Sequence, residues 1–386
     1  MVAQNPFFQI PAWRPSRTSS PGAGLSSTEV APLNILVTGA CGVTPRAIAR
    51  SLRASALFGD ARLVGADRGG NWYGFYEGLY ERVYRDSEPS DPGYPELVAD
   101  ICRREEIDLA IVGPEAHVKF WSGREFPVPT LLPPPGLVEI AISKSKLYEA
   151  LRETGLVPRY RIASRDELLA RSGADLGGGG PVWLRDYSDG SSSGIGSIQV
   201  TEPEEAYAWA YLNPGIPSYM VAEHLPGRNI ACTLLFHEDR LLKAGCYERL
   251  EYFMGHLAVS GVTGNINRGR LVNDERARAL AEQAVRFLGG LTGEPAHGLL
   301  TVDLREDQSG ALKITEINVR HVAATSALAA GGANMAEAQV LATLGRLDEI
   351  GEVVPHFPDD NVILRDIDGT PLWLTDYREL AIGEHA

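Results

Sequence analysis

The chain has 386 residues, 44% hydrophobic and 22% charged, with a net charge of −14 at pH 7. That length allows two or three packed units with full cores, and the acidic balance argues against a general nucleic-acid surface, which needs clustered Lys and Arg. No apolar run approaches the roughly 18 residues of a membrane helix, and Cys41, Cys102, Cys232 and Cys246 show no CxxC spacing, so they read as reduced structural thiols of a cytoplasmic protein.

Residues 1–31 mix Pro, Ser and Gly with scattered aromatics and have no apolar segment behind a basic start. They are expected to be a flexible tail, not a secretory signal. Phe7, Phe8, Ile10 and Trp13 give that tail apolar side chains for docking on the folded body or on a second subunit. Folded structure is expected to begin at Leu33–Thr38, a short apolar run that reads as a buried parallel strand. A helix over Arg46–Leu57, a strand over Arg62–Asp67, a helix over Pro95–Arg104 and a strand over Leu109–Gly113 follow. That alternation predicts a parallel sheet with crossover helices over residues 32–135, closed by Pro133-Pro134-Pro135.

A helical unit over Ser143–Gly155 ends on a glycine suited to a C-cap, and Ser164 caps a short helix to Arg171. Gly177–Gly180 reads as a flexible loop. Pro181–Arg185 and Gly196–Val200 read as an antiparallel pair joined by a Gly/Ser-rich loop, and Glu202–Tyr211 as a helix. Tyr219–Leu225 and Ile230–Phe236 alternate as strands do, broken at Pro226-Gly227. Glu275–Leu291 is a strong helix, Asn334–Leu344 another, and the last thirty residues suggest a small β appendage. The expected units are therefore a tail (1–31), a first α/β domain (32–135), a small lobe (136–218) and a large lobe (219–386).

Two apolar runs near the C-terminus carry the most chemistry. Asp303 closes His297–Asp303, and Glu316 and Asn318 sit two apart in Ile314–Arg320, so in a strand both face one way. Three hard oxygen donors from two paired strands suit Mg²⁺, which shares its remaining positions with water and nucleotide phosphates. Arg320, two residues on, places a guanidinium fork on the same face, suited to phosphate.

Elsewhere the signals are weaker singly. The loop of Ser188, Ser191, Ser192, Ser193 and Gly194 offers backbone N–H groups and hydroxyls that can wrap a phosphate, or it is only an exposed hairpin tip. It lacks the Gly-Lys-Ser/Thr of a Walker A loop. Lys144 and Arg185 are ordinary surface charges or converge on that phosphate. Glu223, His224 and Leu225 end a strand that offers a backbone edge to a base. Arg249, His256, Asn265, Asn267 and Arg268 form a polar, glycine-containing region able to read a carboxylate. Gly39–Pro45 follows the first strand as a dinucleotide loop does, with Asp67 at the end of the second strand, but Pro45 spoils the Gly pattern. An NAD(P)-dependent reductase is the reading that loop would support.

The order of these parts resembles the ATP-grasp superfamily, over about residues 33–346, and especially its amino-acid ligases and its branch similar to carbamoyl-phosphate-synthase halves. Ser143–Leu151 looks like the family's Asp-Lys helix start, with Lys144 at its ATP-contacting lysine. Trp183-Leu184-Arg185 is similar to the small-lobe strand whose basic residue meets phosphate, and Ser188–Gly196 to the loop that closes over ATP. Val221–Gly227 resembles the segment that holds adenine. Asp303, Glu316 and Asn318 match the metal ligands, and Thr315–Arg320 is close to the Glu-Ile-Asn-Pro-Arg signature. Ser143 replaces Asp, Asp186 stands where Pro is common, Asn229 where Glu is common, and Val319 replaces Pro.

The resemblance implies an α/β and α+β chain with the ATP-grasp fold and an N-terminal Rossmann-like pre-grasp domain. It implies ATP with Mg²⁺ or Mn²⁺ and an ADP-forming carboxylate–amine ligase. Its partners would be small-molecule carboxylate and amine substrates, with neither nucleic acid nor membrane, and a homodimer is left open. Arg268 and Arg320 are expected to be the basic groups nearest the reacting carboxylate and phosphate. A thiol acceptor and a non-catalytic ATP-grasp scaffold remain as rivals to amide formation.

Overall fold

A computed structural model describes residues 32–69, 77–170, 180–187, 197–365 and 381–385. The Gly177–Gly180 loop, save Gly180, and the Ser188–Gly196 loop fall outside the described residues, as does the tail.

The N-terminal strands β1 (Asn34–Thr38), β2 (Arg62–Asp67), β3 (Arg82–Arg85) and β4 (Leu109–Ile111) form a parallel sheet of order β3-β2-β1-β4. Ile35, Leu36 and Val37 are all fully buried, as expected of a strand covered on both faces. Helices α1 (Val43–Arg53), α2 (Tyr94–Arg104) and α3 (Glu115–Trp121) return the chain between and after strands. Helix α1 starts three residues earlier and stops four earlier than its apolar spacing predicts. Pro45 is tolerated because it falls in the first turn, where its missing N–H has no intrahelical acceptor. The Ser55 hydroxyl accepts from the N–H groups of Leu57 and Phe58, which turns the chain out of the helix.

Two helices, α4 (Pro135–Ala141) and α5 (Lys144–Leu151), lead into the next sheet. The Ser143 hydroxyl accepts from Lys146 N as N-cap of α5, and Gly155 ends the following turn at φ 70°. Strand β5 (Tyr160–Ser164) is followed by α6 (Arg165–Leu169), whose N-cap Ser164 accepts from Glu167 N. Strands β6 (Val182–Asp186), β7 (Ile198–Val200) and, after α7 (Pro203–Leu212), β8 (Ser218–Glu223) complete an antiparallel sheet of order β5-β8-β6-β7. Ala163, Leu168, Leu184, Val200, Ala206, Ala210 and Tyr219 form its own core. Strand β8 belongs to this sheet, so the change of sheet comes at Pro226-Gly227, later than the boundary expected after residue 218.

The third sheet is built from β9 (Asn229–His237), β10 (Arg240–Tyr252), β11 (Ile266–Val272), β12 (Gly298–Glu306), β13 (Leu312–Asn318) and β14 (Ile363–Leu364), in the order β13-β12-β9-β10-β11-β14. Glu238 and Asp239 both take positive φ in the two-residue turn between β9 and β10, the geometry that matches strand twist. Helix α8 (Glu275–Thr292) covers one face through Ala277, Ala281, Ala284, Val285 and Leu288. The other face packs on α9 (Thr325–Ala330) and α10 (Met335–Thr343). Ala336, Val340 and Leu341 of α10 also enter the core formed by Ile48 and Leu52 of α1, so the first and third sheets share apolar packing. Full burial of Val340 and Leu341 contributes about 1.5–3 kcal/mol each to that junction. Of the last thirty residues, those described do not make a unit of their own. Strand β14 extends the third sheet beside β11, and His385 bridges to Tyr84 at the end of β3.

Candidate active site

The three sheets border one cleft of about 1090 Å³. Its floor is the β12–β13 pair. Asp303 and Glu316 are direct cross-strand partners, as are Thr301 and Asn318, with a bulge just after Asp303. The pleat therefore delivers all three predicted oxygen donors to the cleft.

Asp303 is held on one side. Arg249 Nη2 donates to Asp303 Oδ1 at 2.7 Å, and its other donors reach Asn229 Oδ1 at 2.9 Å and the Tyr247 hydroxyl at 3.2 Å. Asn229 Nδ2 in turn donates to the Tyr252 hydroxyl at 2.9 Å. Burial pushes the Asp303 carboxyl up, the Arg249 guanidinium opposes that, and the neighbouring charge of Glu316 adds to it. Asp303 holds the Arg249 guanidinium firmly charged despite its burial. Glu316 Oε1 faces Lys144 Nζ at 3.9 Å, and burial lowers the Lys144 ammonium while Glu316 opposes the shift.

Two half-buried carboxylates side by side repel each other, and a divalent cation would relieve that repulsion. Two carboxylates and one amide oxygen are a donor set that fits Mg²⁺ or Mn²⁺ with positions left for phosphate and water. Among the described residues, no three His, Cys, Asp or Glu gather as a metal cluster, so the third donor would be the amide of Asn318.

The small sheet closes the cleft from above. Arg185 on β6 reaches across to the Thr315 carbonyl at 3.4 Å, beside Trp183, Met220 and Ala222. Glu223, His224 and Leu225 line the cleft where the chain leaves β8. The Glu223 carboxylate is turned to Arg159, 2.8 Å from its Nε. Burial lowers the His224 imidazole, with Arg305 adding. Gly227 N donates to the Glu306 carbonyl, and a Cβ there would lie 2.5 Å from Glu306 Cβ, so the crossing between sheets requires glycine.

The first sheet supplies the third wall. Gly39 takes φ 68°, and a Cβ on it would stand 2.4 Å from Pro114 Cγ, so the β1–α1 loop nests against Gly113-Pro114. The Asp67 carboxylate accepts from Cys41 N at 3.0 Å and Gly69 N at 2.8 Å. Its oxygens thus brace the loops instead of standing ready for a ribose, which removes the support for a dinucleotide site.

Arg320 lines the cleft beside the metal-type residues, its Nη1 donating to the His321 carbonyl at 2.9 Å. Arg268 does not enter it. On β11 it is the cross-strand partner of Glu251 next to a β10 irregularity, 55% exposed and ion-paired with Glu251 at 3.5 Å. The inward arginine of this region is Arg249, one strand over. Sequence reading also passed over Tyr148, Glu115, Arg305 and Arg365, all in the cleft wall. A signal existed for Glu115: it follows the carboxyl end of a parallel strand, where open α/β sheets gather ligands.

No protein-family model matches the chain, and no curated protein sequence does. Solved structures do. The chain is similar to the L-amino acid ligase of Bacillus licheniformis, at 15% identity over 84% of this chain and 77% of that one, with a TM-score of 0.59. It is also similar to the N5-carboxyaminoimidazole synthetase of Staphylococcus aureus (12% identity, 86% and 80% covered, TM-score 0.56) and to the biotin carboxylase of Campylobacter jejuni (15%, 81% and 71%, TM-score 0.54). The likeness is one of fold. The chain has the ATP-grasp fold, a mixed α/β architecture with a Rossmann-like parallel sheet before the grasp lobes.

Proposed function

We propose that this chain is an ATP-dependent ligase that activates a carboxylate as an acyl phosphate, joins it to an amine and releases ADP and phosphate, with amino acids as the substrate class. The observation that carries this reading is the meeting of Lys144, Arg185 and Arg320 with Asp303, Glu316 and Asn318 in one cleft between sheets. The similarity to an L-amino acid ligase supports it.

A carboxylate is a poor electrophile because oxide would have to leave. Phosphorylation replaces oxide by phosphate, and catalysis of that step is largely positioning and charge neutralisation. Lys144 and Arg185 would hold the nucleotide phosphates, and Glu223, His224 and Leu225 the base. Arg320 would steady the reacting carboxylate and the γ-phosphoryl group. Mg²⁺ held by Asp303, Glu316 and Asn318 would neutralise phosphate charge. Arg249 aims Asp303 and opposes the upward push of burial on its carboxyl. The Ser188–Gly196 loop keeps its proposed role of closing over the phosphates and excluding water. The chain would then be organised as a pre-grasp domain from residue 32 to about 135, a small lobe to the Pro226-Gly227 crossing, and a large lobe. A reducing, cytoplasmic setting is supported by the absence of a disulfide among the described cysteines.

An ADP-release screen of single and paired amino acids tests the reading, with Glu316→Ala run beside the native chain. ADP that appears only with a carboxylate and an amine together, and disappears in the variant, is the expected result. Substrate-independent silence across the panel would favour a scaffold that binds nucleotide without turnover.

A further inference from the structure

Six carboxylates line the cleft: Asp67, Glu88, Glu115, Glu223, Asp303 and Glu316. Five are engaged. Asp67 accepts from two backbone N–H groups, Glu88 pairs with Arg68, Glu223 with Arg159, Asp303 with Arg249, and Glu316 faces Lys144. Glu115 has no hydrogen bond or ion pair among the described residues. It opens α3 at the carboxyl end of β4, half-buried, from the wall opposite the β12–β13 floor. Arg320, Lys144 and Lys119 act on its charge favourably and Glu316 unfavourably.

A half-buried carboxylate without a protein partner has its lone pairs open to a bound cation. The cations that act on it are engaged elsewhere or stand in water: Arg320 bonds the His321 carbonyl, Lys144 faces Glu316, and Lys119, one turn along α3, is exposed.

Resting on the ligase reading above, we infer that Glu115 is the docking group for the acceptor, a primary amine that arrives as its ammonium. The chemistry requires such a group. An ammonium has no lone pair, so it must lose a proton before attacking. One proton passes to the Glu115 carboxylate. The freed nitrogen attacks the acyl carbon, the C–N bond forms, and the C–O bond to phosphate breaks with its electron pair on the leaving oxygen. The second nitrogen proton leaves with that phosphate, as hydrogen phosphate. Burial also pushes the Glu115 carboxyl upward, which favours the proton's arrival.

The test compares two nucleophiles on one acyl phosphate. Hydroxylamine is uncharged at neutral pH and traps the intermediate as hydroxamate without ammonium docking. Native chain and Glu115→Gln are given MgATP and pooled proteinogenic L-amino acids, with and without hydroxylamine, and amide and hydroxamate are quantified. The amide-to-hydroxamate ratio is expected to fall about 100-fold in the variant, with a raised KM for the amine. Glu115→Asp, with a shorter reach, is expected to fall about 10-fold and provides the reading should Glu115→Gln not fold, as judged by calorimetric titration with MgADP. An unchanged ratio overturns the assignment. So does a parallel loss of amide and hydroxamate, which would put Glu115 at the phosphoryl-transfer end. No ADP from the native chain with any member of the pool would instead overturn the ligase reading and this inference with it. Hydroxamate formed at an unaltered ratio overturns only the role of Glu115.

Discussion

The floor of the cleft and its N-terminal wall are built on opposite plans. On the floor, Asp303, Arg249, Asn229, Tyr247 and Tyr252 bond one another across β9, β10 and β12. Asp303 and Arg249 are each other's fixed partners, so that part of the geometry offered to a phosphate is set before any ligand arrives. In the N-terminal unit, Glu115 lacks a partner among the described residues, and just after β3 Asp86 is 1% exposed with neither carboxyl oxygen hydrogen-bonded. The first region is stable because it is satisfied. The second is expensive as it stands and gains from what binds or protonates it. A ligase of the proposed kind would use both: a rigid end for a reaction that is the same in every turnover, and an end whose energetics depend on substrate.

The largest test of this contrast is Arg249→Met. It leaves the buried Asp303 charge unpaired and should cost about 3–5 kcal/mol in urea unfolding, whereas a small loss would mean the floor is not a network. Glu316→Ala should leave folding nearly intact and lower ADP formation by about 10²–10³-fold, with weakened dependence on added Mg²⁺. Asp86→Asn should go the other way and stabilise. Burial raises the Asp86 pKa from 3.8 to about 8, and the Asp67 charge adds. The folded state therefore holds a proton the unfolded chain has lost across that interval. Stability from this group is full below the unfolded value and is lost as pH rises through the folded value. The substitution should raise stability by about 1–3 kcal/mol at pH 8 and flatten the decline between pH 4 and 8 seen in unfolding curves. The smallest effect belongs to Arg268→Ala. Exposed and paired only with Glu251, it should change stability by about 0.5 kcal/mol or less and leave ADP formation within about twofold.

Most of the floor was legible in the sequence because strand periodicity converts directly into facing. Glu316 and Asn318, two apart, had to share a side, and one register brought Asp303 opposite them. Lys144 was legible through its capped helix start. Arg268, expected near the reacting carboxylate, stands outside the cleft lining, and period alone does not say where a bulge resets the alternation. The irregularity around Arg249, Glu251 and Tyr252 turns Arg249 inward and leaves Arg268 outside. Asp86 was invisible for another reason, and Glu115 was signalled only by its place after a parallel strand. Their environment is made by long-range packing of strand ends, which a local pattern does not encode. The shared core of α1 and α10 was equally hidden, since Val340 and Leu341 look like ordinary helix-core residues until the first sheet is placed beside them.

That shared core makes the cleft a vice with one jaw welded to the bench. Glu115 and Glu316 keep their separation because the sheets that carry them are packed together through α1 and α10. Arg185 rides on a lobe with one face on its own core, while Met220 and Ala222 of β8 join the core that the first and third sheets share, and its crossing at Gly227 admits no side chain. The spacing between the wall that carries Glu115 and the floor that carries Glu316 is thus a property of apolar packing, set by residues far from either carboxylate.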